Sequence, residues 1–234
     1  MGQLNSAPGQ LSLAVQLRDD ATLDNFLPTP ALQPLVKALS EQSCAAGESV
    51  IFVYGPPGSG KSHLLQASCH LVPDAQYLPL ADLSAYSPDD VLQSLETRGR
   101  LCIDDIDAVL GQPDWENALF HLYNRARDRG CNLLLSAAAA PRALDVDLDD
   151  LRSRLAWGLV FQLPAPDDAR RAAILRFRAA RRGLELPQDV ASYIVHRAPR
   201  GMYDLLEVLS VLDLASLREQ RALSIPFIKR ILGW

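Results

Sequence analysis

Short apolar runs alternate with stretches in which apolar positions recur every three or four residues, and this alternation sets the expected architecture. Ser49–Tyr54 (SVIFVY), Gln76–Leu80, Leu101–Ile103, Asn132–Ser136 and Leu159–Leu163 have strand length and are rich in β-branched or aliphatic residues. Helix patterns lie between them: residues 31–42 after Pro30, Lys61 to about Leu71, a segment opened by Ser87 as N-cap with Pro88 at its first position, and Trp115–Arg129, stopped by Gly130. Strands alternating with helices predict a mostly parallel sheet with helices on both faces, a three-layer α/β/α core. After Pro164-Ala165-Pro166 the strand signal stops. From Asp167 to Trp234 only helix-like segments follow, broken near Gly183–Pro187, Pro199–Gly201 and Ser224–Pro226. The expected division is an arm over 1–20, an α/β domain over 21–166 and a small all-helical lobe over 167–234.

Composition narrows the partners. The 234 residues are 48% hydrophobic and 22% charged, enough for one core and a second lobe. The formal net charge of −5 suits stand-alone binding of duplex DNA poorly, because such affinity comes largely from neutralised phosphates. Cys44, Cys69, Cys102 and Cys131 form no CxxC pair and no zinc-like spacing with histidine, so reduced thiols are expected. No apolar run approaches the roughly 18 residues of a membrane span, and no charged-then-apolar segment opens the chain. The opening Met1-Gly2-Gln3-Leu4-Asn5-Ser6 fits a short acylation pattern that the rest of the sequence does not support. A cytoplasmic protein with no membrane partner is expected.

The strongest chemical signal is Gly55-Pro56-Pro57-Gly58-Ser59-Gly60-Lys61-Ser62, a full G-x-x-x-x-G-K-[ST] phosphate loop between a strand and a helix. Glycines there let backbone N–H groups wrap phosphates, and the helix N-terminus adds positive partial charge. Lys61 is placed to reach the β- and γ-phosphates, and Ser62 to ligate Mg²⁺. A second half of the site should be acidic and lie at the end of a neighbouring strand. Asp104 and Asp105, after Leu101-Cys102-Ile103, supply it: Asp104 to hold the metal through water, Asp105 to orient the attacking water.

Several longer stretches resemble the DnaA-type AAA+ family. These are the phosphate loop followed by His63-Leu64-Leu65, the Leu23-Asp24-Asn25-Phe26 segment, and Leu151-Arg152-Ser153-Arg154-Leu155-Ala156-Trp157-Gly158-Leu159, which is similar to that family's L-x-S-R-x-x-W-G-L box. Within the family the resemblance is to the Hda branch, the regulatory inactivators of DnaA. It is carried by QLSLAV over residues 10–15, by Trp115–Arg125, by the Ser153-Arg154-Leu155 box with its Trp-Gly, and by Arg221–Lys229. The resemblance implies an AAA+ nucleotide-binding core with a helical lid, binding ADP or ATP with Mg²⁺. It implies an adenine pocket near Asn25 and Phe26, with His63 beside the loop. It implies Arg154 as an arginine finger acting on a neighbour's nucleotide, with Arg152 as the alternative two residues away. The arm motif resembles peptides that dock in the hydrophobic pocket of the DNA polymerase III β sliding clamp. Leu11, Leu13 and Val15 would be its apolar anchors and Gln10 its polar contact. The implied partners are DnaA, the clamp, DNA indirectly through the clamp, and further copies of the chain.

Two departures concern the chain's own nucleotide chemistry. The family's T-[SG]-D sensor I box is Leu135-Ser136-Ala137-Ala138-Ala139 here, with Ala138 in place of the acid. The sensor II arginine aligns with Tyr203, and Arg200 offers a substitute three residues earlier, on a shared helix face. Weak intrinsic hydrolysis follows from both. Arg170, Arg171, Arg176, Arg178, Arg181 and Arg182 open the helical lobe as a basic run, read as a solvated face with its own acid partners and alternatively as a contact for DNA or an acidic surface. Three other functions remain open at this stage. One is a DnaA-like initiator fragment, although the chain ends at Trp234 with no room for a helix-turn-helix domain. The others are a helicase-loading or adaptor ATPase and a nucleotide-dependent scaffold.

Overall fold

The computed structural model describes residues 17–44 and 47–234. Five strands, β1 (Val50–Tyr54), β2 (Ala75–Pro79), β3 (Arg100–Asp104), β4 (Asn132–Ala137) and β5 (Leu159–Gln162), form one sheet in the order β2-β3-β4-β1-β5, with every pairing parallel. The described chain divides into two compact units. The first runs through Gly55 and over Lys61–Leu163; the second is Pro164–Trp234 together with Pro56–Gly60.

The period-2 alternation of strand side chains builds two cores in the first unit. Phe52, Leu101, Ile103, Leu133 and Leu135 point to one face, and Ile51, Val53, Cys102 and Leu134 to the other. Helices α1 (Gln33–Glu41) and α2 (Lys61–Cys69) cover the second face through Leu35, Leu39, Leu64 and Leu65. On the first face lie α3 (Leu80–Leu83), α4 (Pro88–Leu92), α5 (Pro113–Asp128) and α6 (Asp149–Leu155). The long α5 shows why the sequence chooses helix. Trp115, Leu119, Leu122, Tyr123 and Ala126 are buried at helical spacing. Pro113 opens it, Asp114 and Glu116 sit in the first turn, and Arg125 and Arg127 in the last, each sign matched to the helix dipole. Helix α4 begins at Pro88 as expected, but the Ser87 side chain makes no capping hydrogen bond.

Arg100, fully buried at the start of β3, was not singled out by the sequence. Its guanidinium donates to the Ser68 carbonyl at 2.9 Å, the Leu39 carbonyl at 3.4 Å and the Ser43 hydroxyl at 2.9 Å. It ties the ends of α1 and α2, whose last carbonyls lack helical partners, to the start of the interior strand β3.

The second unit holds α7 (Asp168–Arg181), α8 (Gln188–Arg197), α9 (Met202–Glu219) and α10 (Ile225–Leu232) around a core that includes Leu175, Ile194, Leu205, Leu209, Leu212 and Ile228. Asp167 caps α7 by accepting from the Arg170 N–H at 2.7 Å. The basic run is not a uniformly solvated face. Arg171 is buried and donates to Asp168 and to the Pro199 carbonyl, and Arg178 is buried too. Arg176 reaches the Leu186 carbonyl and Gln188, and Arg182 reaches Ser210 and Asp213. The long aliphatic stems fill the lobe while the guanidiniums satisfy carbonyls, so packing decides where several of these residues go. No helix among the described residues is long and apolar enough to cross a membrane.

Candidate functional site

The phosphate loop follows β1. The Gly55 N–H is held by the Ala137 carbonyl of β4 at 3.2 Å, which fixes where the loop leaves the sheet. Gly58 (φ 77°) and Gly60 (φ 102°) then adopt backbone that L side chains rarely reach, so this turn requires glycine at both positions. Within the turn the Ser59 N–H bonds the Pro56 carbonyl at 3.2 Å, and the Ser59 hydroxyl is buried without a hydrogen-bond partner among the described residues. Lys61, buried at the start of α2, donates from Nζ to the Gly55 carbonyl at 2.9 Å. Ser62 beside it is exposed. An ammonium held at the loop, an orphan hydroxyl and glycine-turned backbone fit a polyphosphate.

The acidic half is more elaborate than the sequence suggested. Asp104, 1% exposed at the end of β3, accepts from two hydroxyls: Ser136 bonds its Oδ1, and Tyr77 its Oδ2 at 2.7 Å. Ser136 in turn accepts the Asp105 N–H at 2.9 Å. Tyr77 was missed. Its signal was available, since it lies on the strand beside β3, opposite Cys102 and two residues short of the Pro79↔Asp104 pair. Burial, and then the charge of Asp104, push the Tyr77 hydroxyl far above its ordinary pKa, so it stays a donor. Gln66, whose side chain opposes that rise, accepts the Arg18 N–H at 3.1 Å. Both carboxylate oxygens of Asp104 keep a second lone pair, the chemistry needed to accept from a cation's water shell. Asp105 sits at φ 52°, and burial followed by the Asp104 charge raises its pKa, against the opposing pull of Lys61. At the sensor I position Ala138 contributes only its N–H, donated to Asp107 at 3.3 Å.

The segment expected near the adenine forms a short 3₁₀ turn, Leu23–Asn25. The structure brings Phe26 and His63 together, ring centroids 6.0 Å apart and 27° from parallel. His63 donates from Nε2 to the Thr22 carbonyl at 2.9 Å. The Asn25 amide donates to the Asp20 carbonyl at 2.9 Å and shapes its own turn.

On α6 the two candidate finger arginines separate cleanly. Arg152 bonds Asp149 at 2.8 Å and the Val146 carbonyl, so it belongs to its own helix N-terminus. Arg154 makes no ion pair among the described residues. Its guanidinium lies 4.6 Å from the centre of the Trp157 ring, and its Nε is buried without a hydrogen-bond partner. The loop leading into α6 is held by Glu116 of α5. Its buried carboxylate accepts the N–H groups of Gly111 (2.8 Å), Asp147 (3.1 Å) and Leu148 (2.7 Å). Burial acts to raise its pKa, but those three donors, with Arg152 nearby, overcome it and hold the carboxyl below its ordinary value. After α6 the Trp157 N–H returns to the Arg154 carbonyl at 3.1 Å. Gly158 then turns the chain at φ 86°, where an added Cβ would lie 2.2 Å from the Val50 carbonyl oxygen. The Trp-Gly pair of the box is therefore a geometric device: it turns the chain from α6 into β5.

Arg200 does not share a helix face with Tyr203. Pro199 and Gly201 end one helix and start the next, leaving exposed Arg200 in the bend before Met202. The arm residues Gln10, Leu11, Leu13 and Val15 lie outside the described residues.

Comparison with known proteins gives a consistent picture. A family model for the bacterial DnaA ATPase domain matches residues 84–162, and one for the lid domain of Hda matches residues 168–232. An uncharacterised protein of Haemophilus influenzae is 41% identical over 229 residues, covering 96% of this chain and 98% of that protein. Among solved structures, domain III of the Thermotoga maritima replication initiation protein DnaA superposes with a TM-score of 0.74 at 26% identity, over 93% of this chain and 98% of that one. AMPPCP-bound DnaA from Aquifex aeolicus gives a TM-score of 0.71 at 21% identity, over 85% and 67% of the two chains.

Proposed function

Because this chain belongs to the DnaA-related AAA+ family and carries an Hda-type lid, we propose that it switches off replication initiation by promoting hydrolysis of ATP bound to DnaA. In this reading the arm residues Gln10, Leu11, Leu13 and Val15 tether it to the DNA-loaded sliding clamp, and the α6 edge docks against DnaA. Water attacks the γ-phosphorus of the DnaA nucleotide, the bond to the bridging oxygen breaks, and charge spreads over the equatorial and leaving oxygens. Arg154 meets that charge. In other phosphoryl-transfer systems such an arginine contributes roughly 10³–10⁵ in rate.

The carrying observation is the state of Arg154: no ion pair among the described residues, a buried Nε without an acceptor, and a guanidinium held on an aromatic face. A merely structural arginine on this helix looks like Arg152, which is fully engaged at home.

The chain's own loop would hold ADP or ATP through Gly55, Pro56, Pro57, Gly58, Ser59, Gly60, Lys61 and Ser62, with Mg²⁺ at Ser62 and, through water, Asp104. The metal would neutralise phosphate charge there. Asp105 is the candidate for orienting water in that site. Asp104 is bonded by two hydroxyls, Ala138 offers no acid, and Arg200 is off the helix, all of which support binding with slow turnover. Nucleotide binding and regulation in trans are thus divided between two parts of the molecule.

The test is release of phosphate from labelled ATP prebound to DnaA, with clamp loaded on DNA. Wild type should accelerate release. Arg154→Ala and a Leu11→Ala/Leu13→Ala double variant should each return it to the rate of DnaA alone. Wild type that binds nucleotide and leaves the rate unchanged contradicts the proposal and favours a loader or scaffold.

A further inference from the structure

Trp157 carries two cations. Arg127, from the last turn of α5, stands 4.7 Å from the centre of the same ring that Arg154 meets at 4.6 Å. The ring is 42% exposed. Three observations describe the electrostatics of this cluster. Neither arginine has an ion pair among the described residues, whereas Arg98, Arg125, Arg152 and Arg230 all do. The Arg154 Nε is buried without a hydrogen-bond partner among the described residues. The buried Tyr123, one turn before Arg127, feels both positive charges: burial raises its pKa while Arg127 and Arg154 pull it down.

Two like charges held at one ring, with no acid in ion-pairing distance among the described residues, repel each other and gain from an added anion. The aromatic face offsets part of that repulsion and holds the guanidiniums in place. The sequence supports this placement on each helix. Tyr123 and Arg127 are four apart on α5 and share a face, while Trp157 lies past the end of α6 and is returned to Arg154 by its N–H bond to the Arg154 carbonyl.

From this geometry we infer that Arg127 is a second phosphate-binding cation beside the finger, and that Trp157 is the positioning residue holding both for a nucleoside triphosphate carried on another chain. The inference rests on the proposed role of Arg154 and extends it to a three-residue clamp of complementary charge. A triphosphate presents several negative oxygens over a few ångströms, and two guanidiniums can bind more of them than one. Arg127 then contributes mostly to the affinity for ATP-loaded DnaA. Trp157 contributes to the maximal rate by orienting Arg154.

The test uses the clamp-dependent phosphate-release assay, run over a range of concentrations of the chain so that half-saturation and maximal rate separate. Arg127→Ala should raise half-saturation about tenfold, a charge-assisted contact's worth, with Arg127→Lys recovering part of it. Trp157→Ala should lower the maximal rate roughly 3- to 30-fold, and Trp157→Phe should recover most of it, because phenylalanine keeps a ring face. A fluorine label on the tryptophans gives a readout independent of DnaA. The Trp157 ¹⁹F resonance, assigned by its loss in Trp157→Phe, should shift in both Arg127→Ala and Arg154→Ala, and shift again with ATP-loaded but not nucleotide-free DnaA. Arg127→Ala matching wild type in half-saturation, or Trp157→Ala matching wild type in maximal rate, overturns this inference alone and leaves the finger standing. Wild type that accelerates nothing overturns both together.

Discussion

Two regions of this molecule treat charge in opposite ways. At the phosphate loop and the sheet end beside it, the charged groups are satisfied from within, and the Ser59 hydroxyl is left for a phosphate. Lys61 donates to Gly55, Asp104 receives two hydroxyls, and Ser136 bridges Asp104 and the Asp105 N–H. Where α5 and α6 end, the guanidiniums of Arg127 and Arg154 lie against the Trp157 ring and make no ion pair among the described residues. A buried polar group without a partner costs about 1–3 kcal/mol, so folds rarely retain one without use. The difference teaches where an outside partner belongs. The inward-facing acids suit holding a nucleotide quietly, while the uncompensated cations suit an anion that arrives on another surface.

The largest way to break this contrast is at the turn that presents the cations. Gly158→Ala places a Cβ 2.2 Å from a backbone oxygen at φ 86°. It should cost about 3 kcal/mol or more, from strain and displaced backbone together, with a clear drop in urea midpoint and loss of DnaA-directed activity. Glu116→Ala removes the carboxylate that holds three N–H groups ahead of α6. A loss of about 2–3 kcal/mol is expected in chemical denaturation.

A pH series sharpens the same point. The Glu116 pKa is lowered in the folded chain, so its stabilisation is complete above the ordinary glutamate value. It declines as pH falls below that value and through the folded one. The stability gap between wild type and Glu116→Gln should therefore be constant near neutrality and shrink in acid. A gap that widens in acid would contradict the assignment.

Smaller effects are expected on the satisfied side. Lys61→Ala should weaken the chain's own ADP binding roughly 10- to 100-fold, the range of a charged hydrogen bond, measured by calorimetry. Tyr77→Phe removes one of the two hydroxyls on Asp104 and should cost about 1 kcal/mol in thermal or urea unfolding. If Tyr77→Phe were silent, the Tyr77–Asp104 hydrogen bond would carry no stability.

Local patterns were readable in the sequence because their physics is local. The Val50–Tyr54 run, the glycines of the loop and Lys61 lie next to one another, and the strand-end acids follow an apolar run of their own. The switch to helices after Pro166 needs only periodicity. What escaped were pairings across distance. Tyr77 and Asp104 are 27 residues apart, Glu116 and Leu148 are 32, and both meet only once the sheet and helices are assembled. Ser136 was visible as the one polar residue at its position, but not as a donor to Asp104. Arg200 was misplaced because spacing of three residues implies a shared face only inside a helix, and Pro199 and Gly201 interrupt it. Arg171 and Arg178 were read as part of a solvated face because a run of charges shows neither burial nor, for Arg171, the Pro199 carbonyl that receives it.

The most direct test of the central claim is single-turnover phosphate release from labelled ATP prebound to DnaA, with this chain preloaded with unlabelled ADP and the clamp loaded on DNA. Only the DnaA nucleotide can then report. Rapid release with wild type, and release at the rate of DnaA alone with Arg154→Ala, is the expected result. Release that Arg154→Ala leaves as fast as wild type would contradict the account, because the uncompensated arginine would then have no anion to meet.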